Sequence, residues 1–161
     1  MSDHLLFDSK FLTRLGAFYD TWSSLDATID LGIKKFLNIT NEEAHLVTAA
    51  MEFGRKITLL RGLIARSSHK QKEKMIKALN AIQNESKRNT FSHSYIQSSK
   101  DKVFFVERSP HGKFTATMHE FTLPEFQKHL EAFTHHAKDL HDGLAVTQPE
   151  LDEFCNAALK M

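Results

Sequence analysis

Residues 11–36 read FLTRLGAFYDTWSSLDATIDLGIKKF, and their spacing decides the fold class. Phe11, Leu15, Phe18, Trp22, Leu25, Ile29, Ile33 and Phe36 recur at steps of three and four, which places them on one stripe of a helix. The spacing predicts a long amphipathic helix over residues 9–38, with a kink or break expected at Ser23-Ser24. Such a stripe is core before it is a cofactor box, and it needs apolar partners along its whole length.

Those partners follow in the chain. Thr40-Asn41-Glu42-Glu43 has the form of a capping box, in which the Thr hydroxyl takes the Glu amide and the Glu carboxylate reaches back. It opens a second helix with Ala44, Val47, Met51, Phe53, Ile57, Leu60 and Ile64 expected on its inner side. Gly16, Gly32, Gly54 and Gly62 fall inside these two helices. Each costs about 1 kcal/mol against Ala, so close approach of another helix backbone is expected there. Ser67 or Ser68 is the expected cap of a third helix, with Met75, Leu79, Ile82 and Ser86 inward and Lys70, Lys72, Lys74 and Lys77 outward.

Val103-Phe104-Phe105-Val106 and Phe114-Thr115-Ala116-Thr117-Met118 are β-branched and aromatic runs. Ser109-Pro110-His111-Gly112 between them is turn chemistry, which predicts a hairpin over 102–121. Thr122-Leu123-Pro124-Glu125 is a second capping box. It starts a helix with Phe126, Leu130, Phe133, Ala137, Leu140 and Leu144 inward, and Thr147-Gln148-Pro149-Glu150 starts a last short one ending near Lys160. The expected fold is mainly α: an antiparallel bundle of four to five helices, forming a single domain over 1–161. One short hairpin stands between the third helix and the next long one.

Composition narrows the class. Of 161 residues, 41% are hydrophobic and 25% charged, with three Pro and six Gly; this argues against a loop-rich or all-β chain. Cys155 is the sole cysteine, which excludes an internal disulfide and suits a cytoplasmic, reducing compartment. No apolar run reaches membrane-spanning length, and the start Met1-Ser2-Asp3-His4 is acidic where a secretion signal is basic, so no membrane partner is expected. The net charge of +1 conceals an asymmetry: residues 1–54 carry −4, residues 55–113 carry +10 and residues 114–161 carry −5. A basic block is either a solvated helix face or a footprint for a polyanion such as RNA.

Within the basic block lies Lys87-Arg88-Asn89-Thr90-Phe91-Ser92-His93. No other Arg in the chain has a His five to seven residues downstream. On an unbroken helix Arg88 and His93 stand about 140° apart, whereas Asn89 and His93 share a face. Placed at the C-terminal end of the third helix, the pair meets only if the helix ends between them or a second chain supplies one member. Each residue also has an ordinary reading at a helix end, with Glu85 as the ion-pair partner of Arg88. His129, His135, His136 and His141 invite a metal reading, but no two stand four apart, so neither metal nor cofactor is expected.

The order long helix, long helix, basic helix ending in Arg-Asn-x-x-x-His, hairpin, capped helix resembles the HEPN superfamily. Its signature is Arg, four to six residues, then His, often with Asn after the Arg; here these are Arg88, Asn89 and His93. Many members carry Ala before the His and Gly after it, where this chain has Ser92 and Ser94. The resemblance covers residues 9–145. It implies a metal-independent endoribonuclease acting as a homodimer, with Arg88, Asn89 and His93 in a composite site, serving as a toxin or antiviral (phage-defence) effector, with an antitoxin protein as a further partner. Lys70, Lys74, Lys77 and Lys87 would then hold RNA phosphates, and Tyr95 would stack on a base or be buried. Two other readings stand beside it: a catalytically silent module that binds RNA, nucleotide or protein, and a helical-bundle interaction protein whose motif is accidental.

Overall fold

The computed structural model describes residues 9–99, 101–109 and 114–160. In chain order it comprises α1 (Ser9–Leu37), α2 (Asn41–Thr48), α3 (Phe53–Arg66), α4 (Lys72–Glu85), α5 (Arg88–His93), β1 (Tyr95–Ser99), β2 (Lys102–Ser109), β3 (Thr115–Thr122), α6 (Leu123–Gly143) and α7 (Gln148–Ala158). The protein is mainly α, with one three-stranded antiparallel sheet in the order β1-β2-β3. The expected hairpin is β2 and β3; its turn at Pro110-His111-Gly112 lies outside the described residues. No helix among the described residues is long and apolar enough to cross a membrane. The chain packs as two compact units, one of residues 1–19 and 86–132, the other of residues 20–85 and 133–161.

Helix α1 runs unbroken through Ser23-Ser24, with the Thr28 hydroxyl donating back to the Ser24 carbonyl at 2.8 Å. The expected second helix is two. Ala44 and Thr48 are buried on α2, and Ile57, Leu60 and Ile64 on α3. At 100° per residue Ile57 stands about 180° from Thr48. One straight helix would therefore have turned one of these sets to water. The break at Ala49–Glu52 resets the phase, with Glu52 extended (φ −65°, ψ 149°) ahead of α3, and it leaves Val47 exposed. Ser67 closes α3, its hydroxyl on the Ile64 carbonyl at 2.8 Å, while α4 opens only at Lys72.

In the second unit the core is mostly aliphatic: Leu25, Ile29 and Ile33, Ile57, Leu60 and Ile64, Met75, Leu79 and Ile82, with Leu140 and Leu144, joined by Phe133 and Phe154. A Cβ on Gly32 would meet Leu144 at 2.9 Å and Leu60 at 3.2 Å, so side chains, not a helix backbone, crowd this glycine. Gly54 and Gly62, like Gly16 in the first unit, have open space where the sequence suggested close helix approach. Trp22 lies parallel to Phe133 (5.9 Å, 12°) and 4.0 Å from Phe53. Buried Lys56 donates to Asp26 at 3.0 Å and Asp30 at 2.9 Å. The capping boxes Thr40/Glu43 and Thr147/Glu150 both form.

The first unit is aromatic. Phe11 and Phe18 of α1, Phe91 of α5, Phe105 of β2 and Phe126 of α6 are all buried. Val103 and Phe105 point one face of the sheet into this cluster. On the other face, pairing puts Tyr95 beside Val106 and Val106 beside Met118. Strand β1 was not foreseen: Tyr95-Ile96-Gln97-Ser98-Ser99 is short, pairs with β2 alone and is mostly exposed, so it carries little apolar alternation. The Thr122/Glu125 box forms at the start of α6, Thr122 N–H donating to the Glu125 carboxylate at 2.7 Å and Glu125 N–H to the Thr122 hydroxyl at 3.3 Å.

Candidate functional site

Arg88, Asn89 and His93 do not stand at the end of the third helix. Helix α4 stops at Glu85, and Ser86 is buried. Lys87 turns left-handed (φ 52°, ψ 24°), a conformation that costs a residue other than Gly about 1 kcal/mol or more. The chain then restarts as α5, whose first closing bond is Phe91 N–H to the Lys87 carbonyl at 3.0 Å. His129 sits 3.0 Å from the Ser86 carbonyl through Nε2, so that nitrogen carries the proton and donates. Glu85, the expected partner of Arg88, instead faces His136 at 3.9 Å.

Six residues cannot hold a helix by themselves. Phe91 supplies the anchor. It is 1% exposed and meets Phe105 at 4.6 Å, Phe18 edge-on at 5.0 Å, Phe126 and His129 at 5.3 Å, and Phe121 at 5.8 Å. The Tyr19 hydroxyl donates to the Phe91 carbonyl at 3.0 Å, and the Thr90 hydroxyl reaches Glu107 of β2 at 3.5 Å. With Phe91 facing inward, Asn89 and His93 stand about 160° to either side of it, hence together on the outer face. Both are exposed; Arg88, about 60° from Phe91, is half-buried. The Arg88 guanidinium reaches the Asn89 side-chain oxygen at 3.4 Å, so Asn89 takes Arg88 rather than His93. Ser94 is extended (φ −94°, ψ 154°) with its hydroxyl buried, which turns the next residue, Tyr95, outward.

The expected RNA contacts divide between the units. Lys87 lies over the Phe121 ring at 5.5 Å. Tyr95 is 55% exposed and carries the Arg108 guanidinium 3.7 Å above its ring. Lys70, Lys74 and Lys77 belong to the other unit and are exposed. Lys70 lies in the loop before α4 rather than on the helix. Lys74 pairs with Asp139 at 2.9 Å and holds that carboxyl below its ordinary value. Not every cation of the basic block is displayed: Lys56 is internal, and Arg61 donates to Asn80 and Gln83. No group of three His, Cys, Asp or Glu converges on a point among the described residues.

Against family models, curated proteins and solved structures, the chain has no match. The sequence reading did not single out Phe91 or Arg108, and it weighed His129 only as a metal ligand. Phe91 was legible as the apolar residue midway between Arg88 and His93. Arg108 was legible only through the register of a strand that was not foreseen.

Proposed function

We propose that the protein is a metal-independent endoribonuclease of HEPN type, cytoplasmic and active as a homodimer. The observation that supports this most is the display on α5: Asn89 and His93 point outward together while Arg88 is turned about 140° from His93. One copy offers an acid–base group without a facing cation. Two copies meeting at this helix bring an Arg88 and a His93 from each chain to one phosphate.

The chemistry follows from the groups. Neutral His93 accepts the proton of an RNA 2′-hydroxyl, whose oxygen bonds to the adjacent phosphorus as the bond to the 5′-oxygen breaks. The imidazolium of a second copy's His93 returns a proton to that leaving oxygen. Arg88 donates to the non-bridging oxygens as their charge builds, with Asn89 holding the guanidinium. The products are a 2′,3′-cyclic phosphate and a 5′-hydroxyl; DNA, lacking the nucleophile, is not cut. A toxin or antiviral role, restrained by an antitoxin protein, is the setting in which such an activity fits.

The test is purified protein on single-stranded RNA in EDTA. His93→Ala should lower the rate by about 10²–10⁴ and Arg88→Ala by about 10²–10³, each with an unchanged circular dichroism spectrum. Cleavage that survives both substitutions would falsify the assignment, and none by the wild type would favour the silent binding module.

A further inference from the structure

The outer face of the sheet carries more exposed apolar and aromatic surface than a strand needs. Antiparallel pairing sets Tyr95, Val106 and Met118 in one row across the three strands. Tyr95 is 55% and Met118 61% exposed. Arg108, two residues beyond Val106 on β2, is the diagonal neighbour of Tyr95 on this same face. Its guanidinium carbon stands over the ring, 3.7 Å from the centroid. Among the described residues it has no ion-pair or hydrogen-bond partner, which leaves its N–H donors for a ligand. Lys102, farther along the face, is neutralised by Glu120. The face therefore pairs an aromatic platform with a cation that no described residue neutralises, at the end of the sheet where α5 runs into β1.

We propose that Tyr95 and Arg108 form a stacking subsite for an unpaired RNA base next to the phosphate held at His93. This rests on the ribonuclease reading for its choice of ligand. Only one residue, Ser94, separates His93 from Tyr95, so their Cα atoms lie within about 7 Å. A strand whose phosphate meets His93 then passes its neighbouring base over the sheet face. The base stacks on the tyrosine ring or the guanidinium plane, and Arg108 donates to the backbone. The row through Val106 to Met118 continues the platform for a second base. Paired RNA, whose bases are already stacked, gains nothing from such a surface, so the ligand is single-stranded.

Binding is measured with the full chain by filter retention of a 2′-O-methyl oligouridine of about ten nucleotides. Lacking free 2′-hydroxyls, this probe cannot be cut. Tyr95→Ala should weaken binding by about tenfold or more and Tyr95→Phe should retain it. Arg108→Ala should weaken binding and flatten its salt dependence by about one charge, with Arg108→Lys recovering the salt slope but not the affinity. Affinity unchanged in Tyr95→Ala, equal affinity for a duplex of the same length, or no retention by the wild type would each overturn the proposal. A protein that cuts no RNA yet binds this probe through Tyr95 and Arg108 overturns the catalytic assignment and leaves the subsite standing.

Discussion

The two compact units solve the problem of burial with different materials. Around α5 the core is made of rings, with Phe91 touching four other phenylalanines and His129. In the other unit it is made mostly of leucine, isoleucine and methionine, with Phe133 and Phe154 among them, and the buried polar cluster is an ion group, Lys56 between Asp26 and Asp30. Long helices bring enough apolar stripe to hold themselves in place. A six-residue helix brings one side chain, so that side chain must be large and surrounded. The price of displaying Asn89 and His93 on a short, freely placed segment is dependence on a single aromatic anchor.

Phe91→Ala should break the comparison most severely. Removing a buried Phe costs about 3–5 kcal/mol, and amide hydrogen exchange should show protection lost in α5 and the sheet before it is lost in α3 and α4. Phe91→Leu, which keeps apolar volume, should lose less.

Lys56→Met should follow, at about 3 kcal/mol, because it leaves a buried carboxylate unpaired. Burial pushes the Asp30 carboxyl up, while its hydrogen bond from Lys56 pulls it down. Without Lys56 the upward push of burial, joined by the neighbouring Asp26 charge, is opposed only by the smaller effect of the Thr48 side chain. A carboxyl with a raised folded-state value takes up its proton in the folded protein first, so acid favours folding through that group. The deficit of Lys56→Met relative to wild type should accordingly be smaller at about pH 5 than at about pH 7, as urea unfolding would show. A deficit that grows on acidification would mean that Asp30 is not the group left exposed to the loss.

The smallest effect has the opposite sign. Gly62→Ala adds a methyl where nothing lies within 4 Å and should raise stability by about 0.5–1 kcal/mol. Gly32→Ala, whose Cβ would press on Leu144 and Leu60, should fall below Gly62→Ala in thermal midpoint.

Much of the helical architecture was legible because periodicity and caps are local. The stripe from Phe11 to Phe36 gave α1, and three Thr-x-x-Glu boxes marked the starts of α2, α6 and α7. The break between α2 and α3 was also present, as a phase reversal between Thr48 and Ile57, but a reader grouping every apolar residue passes over it. The end of α4 was harder. Lys87 adopts a left-handed conformation that Gly or Asn would have advertised and Lys does not. The chemistry-bearing residues of α5 were legible as residue types, whereas their outward display depends on the depth at which Phe91 sits, a tertiary property. The stack of Arg108 on Tyr95 depends on register, which no local pattern fixes when β1 lacks alternation.

Trp22 and Cys155 are the only tryptophan and cysteine in the chain, and both lie in the unit that does not carry α5. Packed against Phe53 and Phe133, the indole is a built-in optical gauge of the aliphatic half, and the exposed thiol is a natural attachment point for a dye on α7. Emission followed through a melt would thus report on the packing around Phe53 and Phe133. A reporter within the unit that carries α5 has to be introduced, for which exposed Phe114 is the natural place to put a second indole.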